Sequence, residues 1–308
     1  MSFRILGLLN MLKPAARGLA IALTTTLLLT ACGGGGGSDD AESPSSGTPL
    51  SSANREMAAS DALAMSVDGS LAMNLTGYFV PEADTGVNSL SGSGGTLSIS
   101  SLTATETYDC AAGGTVTVTS GTGTASWAYA NCVDESGLTL HGTVSSLQLD
   151  ADSYQGDFSS FSITLPDEPA VRVNGRLVFS SNATVTELLA PQLQIKMGTI
   201  FDLTMTNYLL RLTDVGTQTM IEAKGGLKSA GAMAYDIRFD NTTVGDTDQA
   251  AFYLNDGDLY PVSGNLEIFD NASSSRITVS AVNNIQAYIQ YMIGGQTNSA
   301  WKDWSELL

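Results

Sequence analysis

Alternation of apolar and polar residues dominates the chain from about Thr96 onward. Short runs of Val, Thr, Ile, Leu and aromatic residues repeat there with a period of two, and Gly, Asn, Asp and Ser separate them. This pattern is typical of strands that bury one face. The runs 115–119 and 126–130 flank Gly121, Thr122 and Gly123, which predicts a hairpin with a glycine turn.

A different period precedes the strands and predicts a helix over about residues 54–75. Four apolar residues are spaced four apart in an Ala- and Met-rich context, as on one face of a helix. They are Leu63, Val67, Leu71 and Leu75. Apolar residues also alternate from Val67 to Phe79, and Asp68-Gly69 is a turn signal, so a strand is the alternative for the second half.

A weak internal repeat runs through the strands. A strand that ends in Asn or an aromatic residue is followed by a turn and then by a strand with an internal Gly; these are Gly142, Gly175, Gly225 and Gly264. An internal Gly predicts a bend or a close approach of two backbones. Because their spacing is irregular, a fixed-period solenoid is disfavoured. The sequence predicts a mainly β fold, a long curved antiparallel meander forming a half barrel or barrel, with a short N-terminal helix.

The end of the chain has the spacing of one helical turn, with Trp301, Trp304 and Leu308 at positions i, i+3 and i+7. We interpret this turn as a cover for an open edge or mouth of the sheet. The alternative is an exposed anchor for a partner.

An uncharged apolar run occupies residues 18–31 and follows Arg4, Lys13 and Arg17. This arrangement is that of a secretory signal peptide. The run is shorter than the roughly 20 residues that a membrane-spanning helix needs. We therefore interpret residues 1–31 as a signal peptide, and we expect translation to start at Met11, which gives a more usual signal length.

The run ends in Leu29-Thr30-Ala31-Cys32, and five glycines follow. These four residues resemble the lipobox of bacterial lipoproteins. The resemblance implies that Cys32 carries a diacylglyceryl group with fatty-acyl chains such as palmitate and becomes the mature N-terminus. Several acyl chains hold a protein at a bilayer durably, since each buried methylene contributes about 0.8 kcal/mol. The alternative is an ordinary secretory signal that leaves Cys32 as an unpaired thiol.

The residue after the cysteine is Gly33 rather than Asp, which in the lipoproteins that this motif resembles permits export to the outer membrane. We therefore expect a lipid-anchored protein of the bacterial cell envelope, at the outer membrane. Residues 32–53 contain almost no apolar side chains, which predicts a flexible tether of Gly, Ser and acidic residues. Residues 54–308 are enough for a single β-rich domain.

The chain is acidic, with 13 Lys and Arg against 31 Asp and Glu. Three of the basic residues lie in the signal, which leaves ten basic against 31 acidic residues and a formal charge of −21 after residue 31. This charge repels nucleic acid and anionic lipid headgroups. Nucleic acid is therefore not an expected partner, and membrane contact is expected only through the lipid anchor.

Two cysteines follow Cys32, namely Cys110 and Cys132. In a hairpin centred on Gly121 they face each other, because each lies eleven residues from the centre. A bulge at Gly113-Gly114 would shift this register by one. In an exported protein this placement predicts a disulfide, which contributes roughly 3 kcal/mol through the denatured state.

Several short motifs lie between about residue 96 and the end of the chain. They are Cys110, Gly113-Gly114, Val116, Asn131-Cys132, Leu140, Gly142, Val144, Tyr260-Pro261-Val262-Ser263-Gly264 and Trp304-Ser305-Glu306-Leu307. Together they resemble a family of uncharacterised proteobacterial exported proteins and lipoproteins, which implies a β-rich fold and no assigned activity. Residues 294–298 replace an Asp-rich, calcium-like loop of that family, and His141 replaces its Asn. Calcium is therefore not expected.

Candidate catalytic groups are few. His141 is the single histidine, whereas a Ser or Cys nucleophile needs an adjacent base, usually His. The closest acid pairs are Asp246 with Asp248 and Asp256 with Asp258. We interpret both pairs as turn residues that bond to nearby backbone, with a metal or glycosidase-like role as the alternative. We therefore expect no catalytic residue, no metal site, no cofactor and no enzymatic activity.

Two functions agree with these features. The first is a non-enzymatic envelope lipoprotein whose β-scaffold binds another protein or a surface glycan. The alternative is a carrier that holds an apolar ligand or lipid in the hollow of the curved sheet. A carrier needs an unfilled apolar hollow on the order of several hundred Å³, and a hollow filled by side chains or by the Ala-rich helix argues against it.

Overall fold

The computed structural model describes residues 48–80, 105–166, 168–198, 201–231, 233–242 and 250–308, apart from the side chains of Asp68, Ser70 and Leu71. A helical segment comes first and consists of α1 (Arg55–Leu63), a π-helical turn (Ala64–Asp68) and α2 (Ser70–Thr76). A short helix, α3 (Trp304–Leu307), ends the chain. The predicted N-terminal helix is confirmed, and the strand alternative for its second half is wrong.

Fifteen strands lie between these helices in the described residues. They are β1 (Thr105–Asp109), β2 (Gly113–Gly121), β3 (Thr124–Val133), β4 (Thr139–Asp150), β5 (Ser153–Thr164), β6 (Val171–Ser181), β7 (Val185–Met197), β8 (Phe201–Asp214), β9 (Gln218–Ser229), β10 (Tyr235–Asp240), β11 (Phe252–Asn255), β12 (Asn265–Asp270), β13 (Arg276–Ala281), β14 (Gln286–Ile293) and β15 (Gln296–Asp303).

The strands form one antiparallel meander. β1 to β10 pair in chain order, and β12 to β15 continue from β10. β11 pairs with the first part of β9, and β10 with its second part. The buried side chain of Asn241, which follows β10, bonds to β9 near the point where the two parts meet. It accepts a hydrogen bond from Ala223 N–H and donates one to the carbonyl of Ile221 at 3.1 Å. β1 and β15 are open edges of the sheet. The predicted antiparallel meander is therefore confirmed, as an open sheet and not a closed one.

One face of the sheet, the inner face, carries the buried members of each alternating pair. These side chains are at most 1 % exposed in the central strands, as in Leu177, Leu193, Met205, Leu227, Ile237 and Ile268. The opposite, outer face is rich in Thr, Ser and charged residues. The period of two in the sequence therefore corresponds to a one-sided core.

The helical segment packs on the inner face. Leu50 N–H donates to the Asp270 carboxylate at 3.0 Å, next to the turn between β12 and β13. Farther along, the Tyr208 hydroxyl of β8 donates to the carbonyl of Met65 at 2.8 Å, and the Ser146 hydroxyl of β4 donates to the carbonyl of Phe79 at 2.7 Å. The segment therefore crosses the sheet from its last strands to its first.

The buried inner face extends farther along the strands than one helix can cover. In β7, Leu188 and Ile195 are both fully buried, although the strand between them is about 23 Å long and a helix with its side chains is only about 10–12 Å wide. Inner side chains of different strands therefore also cover one another, as in a sheet that curves around the helical segment.

The predicted close approach at the repeat glycines is confirmed. Each has a positive φ, and a Cβ built on it would overlap the backbone of a neighbouring strand or loop; they are Gly142, Gly175, Gly225 and Gly264. At Gly142 the neighbour is the carbonyl of Ser160, which belongs to a bulge in β5. A bulge strengthens local twist and bends its strand, so these positions contribute to the curvature.

Two local predictions are wrong. The hairpin turns at Thr122-Gly123, with Gly121 paired to Thr124, so its register differs from one centred on Gly121. Trp301 is not part of the terminal helix, because it lies in β15, whose eight residues pair with β14. Trp304 is fully buried and covers the core as expected, whereas Trp301 is 60 % exposed.

Candidate functional site

Cys32, the signal peptide and most of the tether lie outside the described residues, so the lipidation of Cys32 stays a prediction. The acid pair Asp246 and Asp248 also lies outside them. Among the helices that the structure does describe, none combines the length and the apolar character that a membrane crossing requires.

The disulfide between Cys110 and Cys132 is present, with 5.3 Å between their Cα atoms. Cys110 lies in the turn between β1 and β2, where its N–H donates to the carbonyl of Gly114 at 3.0 Å. Cys132 follows a bulge in β3. The pairing is therefore confirmed, although the two cysteines do not meet through the hairpin register from which it was predicted.

The remaining candidate groups stand apart from one another. His141 lies in β4 with its side chain exposed. The Asp258 carboxylate accepts hydrogen bonds from the amides of Asn255 at 2.8 Å and Asn284 at 3.1 Å. In the part of the chain that the structure describes, no three His, Cys, Asp or Glu side chains are grouped closely enough to hold a metal ion.

The hollow of the curved sheet is occupied by the helical segment. Ala58, Ala59 and Ala62 are at most 1 % exposed, so the small residues of α1 sit directly on neighbouring side chains. A depression of about 470 Å³ lies instead on the outer face of β2 to β5, between residues such as Thr119, Ser126 and Ser145. It is open and faces away from the core. The carrier alternative stays a prediction, and the filled hollow argues against it.

A carboxylate is enclosed where α1 meets the sheet. The Tyr235 hydroxyl of β10 donates to the Asp61 carboxylate at 2.5 Å. Burial raises the pKa of Asp61 to about 6, and the hydrogen bond from Tyr235 offsets part of this increase. Because the folded state binds the proton of Asp61 more tightly than the unfolded state does, this group contributes most stability at low pH. That contribution is lost as the pH rises through about 6.

We expect Asp61→Asn to raise the free energy of unfolding at pH 7.5 by roughly 2 kcal/mol, since it removes the charge but keeps an acceptor for Tyr235. At pH 4 the variant should equal the wild type. Urea denaturation at the two pH values measures both quantities. Tyr235→Phe is the matched control, and it should destabilise more at pH 7.5 than at pH 4. An equal effect of Asp61→Asn at both pH values would contradict this account.

The turns between strands lie at two ends of the sheet. Residues 48–50 lie at the end of the sheet that holds the β12–β13 turn, because Leu50 N–H bonds to Asp270 there. We call this the proximal end. The opposite, distal end holds the β8–β9 turn, the segment after β11 and the β13–β14 turn. Four large apolar side chains in these distal turns are exposed, and we call them the turn patch: Val215 (45 %), Leu259 (82 %), Val282 (44 %) and Ile285 (63 %).

Backbone and side-chain hydrogen bonds connect the three turns of the patch. Asp256 N–H donates to the carbonyl of Thr217 at 3.1 Å, which joins the β8–β9 turn to the segment after β11. The Asn284 amide donates to Asp258, which joins that segment to the β13–β14 turn. The three turns that carry the four apolar side chains are therefore bonded to one another. Sequence reasoning missed the turn patch because no periodic pattern marks four residues on three separate turns.

The buried residue Trp304 holds turns of the patch from the core side. Its indole N–H donates to the carbonyl of Asn283 at 2.9 Å, and its backbone N–H donates to the carbonyl of Ile285 at 2.9 Å. The Tyr260 ring stacks on the indole at 13° between planes. Two turns of the patch thus rest on one buried side chain.

No family model, curated protein or solved structure matches the chain significantly. The resemblance to proteobacterial exported proteins therefore stays a prediction.

Proposed function

We propose that this chain is a lipid-anchored protein of the bacterial envelope whose β-sheet domain binds another protein and performs no catalysis. The observation that carries the proposal is the turn patch, with exposed fractions from 44 % to 82 % for four large apolar side chains. Large exposed apolar side chains that are grouped at one end of a folded domain are typical of an interaction site, whereas single scattered ones are ordinary.

The predicted tether enters the domain at the end opposite to the turn patch. The chain enters the domain at the proximal end, through the bond of Leu50 to Asp270, whereas the patch lies at the distal end. Attachment of the domain through residues 32–53 would therefore leave the patch uncovered by the tether. The Cys110–Cys132 disulfide agrees with an oxidising compartment outside the cytosol.

Labelling and cross-linking in intact cells test the proposal. Cells fed radiolabelled palmitate should label the wild-type chain and leave Cys32→Ser unlabelled, because Cys32 is the proposed acylation site. A membrane-permeable amine cross-linker should give a discrete adduct of the wild-type chain with another protein. An unlabelled wild-type chain in the cytosol would remove the anchor from the proposal, and the repeated absence of a protein adduct would remove the binding function.

A further inference from the structure

We infer that the turn patch docks a protein surface with an apolar centre bordered by Lys and Arg side chains. This inference rests on the proposed function and specifies the chemistry of the partner.

The apolar part of the argument comes from the two most exposed members of the patch. The Asn284 amide donates a hydrogen bond to the Asp258 carboxylate at 3.1 Å. Leu259 directly follows Asp258 in the chain, and Ile285 directly follows Asn284. Leu259 is 82 % exposed and Ile285 is 63 % exposed, so neither serves the core of the domain. Burying such side chains against a partner removes apolar area from water, which is the main favourable contribution in protein association.

The patch is held in shape before any partner arrives. The side-chain oxygen of Asn283 accepts hydrogen bonds from the N–H groups of Ile285 at 2.8 Å and Gln286 at 2.9 Å. Trp304 fixes the same turn from below through its two hydrogen bonds. A preorganised surface loses little conformational entropy on binding, which distinguishes it from a solvated loop with an incidental apolar residue.

The negative charge of the three turns indicates which kind of partner surface fits the patch. The three turns, residues 214–218, 255–260 and 281–286, contain Asp214, Asp256 and Asp258 and no Lys or Arg. A second copy of this chain would bring equal negative charges together, and an anionic membrane surface would meet the same repulsion. A basic border on the partner complements the patch and also speeds association at low salt.

Site-specific photo-cross-linking in intact cells tests the patch with benzoylphenylalanine as the probe. The full chain carries the probe at Leu259, at Ile285 or at Leu149, an apolar residue of β4 that is 49 % exposed and lies outside the patch. We expect a discrete protein adduct from the first two positions and none from Leu149. The cross-linked peptide of the partner should contain apolar residues flanked by Lys or Arg.

The cross-linked peptide is then synthesised and titrated against the purified domain. Leu259→Asp and Asp256→Lys should each weaken binding at least tenfold, because they remove the apolar centre and the complementary charge. Leu149→Asp and Asp152→Lys, which change exposed residues at the same end outside the patch, should leave binding unchanged. Higher salt should weaken binding of the wild-type domain.

The outcomes separate this inference from the proposed function. An adduct with a second copy or a lipid, or an acidic cross-linked peptide, overturns the inference, as does equal weakening by the control variants. An adduct from Leu149 alone overturns the patch but leaves a binding function elsewhere. If no position yields an adduct and the amine cross-linker also yields none, both the inference and the binding function fall.

Discussion

Gly142→Ala is expected to lower the free energy of unfolding by about 4 kcal/mol, whereas Gly216→Ala should lower it by only about 1 kcal/mol. The two glycines have nearly the same φ, +95° and +93°, in the region that favours glycine. They differ in their surroundings, because a Cβ at Gly142 overlaps the carbonyl of Ser160, whereas a Cβ at Gly216 has no atom within 4 Å.

Gly216 therefore serves as a control for conformational strain alone, and the difference between the two variants measures the backbone contact between β4 and β5. Urea denaturation with the disulfide intact gives both values, provided that the slope with denaturant stays constant. Equal losses for the two variants would show that backbone conformation, and not the close approach, requires glycine at the repeat positions.

Phe79→Ala is expected to destabilise the domain by about 4 kcal/mol, because it empties a site in the concave face. Phe79 is 1 % exposed and packs edge-on against Phe158, with 6.0 Å between ring centres. It also covers Gly156, where a built Cβ would overlap the Phe79 ring. Gly156→Ala alone should therefore cost about 2 kcal/mol through overpacking.

The double variant distinguishes docking of the helical segment from a general loss of core volume. In the absence of the Phe79 ring, the new methyl group at residue 156 fills part of the cavity. The loss in the double variant should therefore be smaller than the sum of the single losses by about 1–2 kcal/mol. Chemical denaturation of the four proteins completes the cycle. Additivity within about 0.5 kcal/mol would place Phe79 away from β5.

The sequence predicts much of this fold because its patterns are local. Alternation in β2 and β3, the i, i+4 stripe before them and the internal glycines each reflect a short stretch of chain, and each is confirmed. β1 was missed as a separate strand since its residues, Thr105 to Asp109, have no apolar alternation and are mostly exposed. Without β1, Cys110 was assigned to the wrong element, although the disulfide itself was predicted correctly.

The candidate site was beyond sequence reasoning for a different reason. The turn patch combines Val215 with Leu259 and Ile285 only because β8, β11 and β13 end at the same side of the sheet. A single exposed Val or Leu in a turn is unremarkable in a sequence. Trp301 shows the opposite error, since its helical spacing to Trp304 is coincidental and strand pairing with β14 determines its conformation.

The contacts of α1 also determine when the domain can fold. The Ser60 hydroxyl donates to the carbonyl of Leu307 at 2.8 Å, across 247 residues of chain. Such long-range closure makes folding slow, and it cannot be completed until the last residues have left the ribosome. Until then α1 lacks its contact with the last helix, so C-terminal truncation should leave a species prone to aggregation.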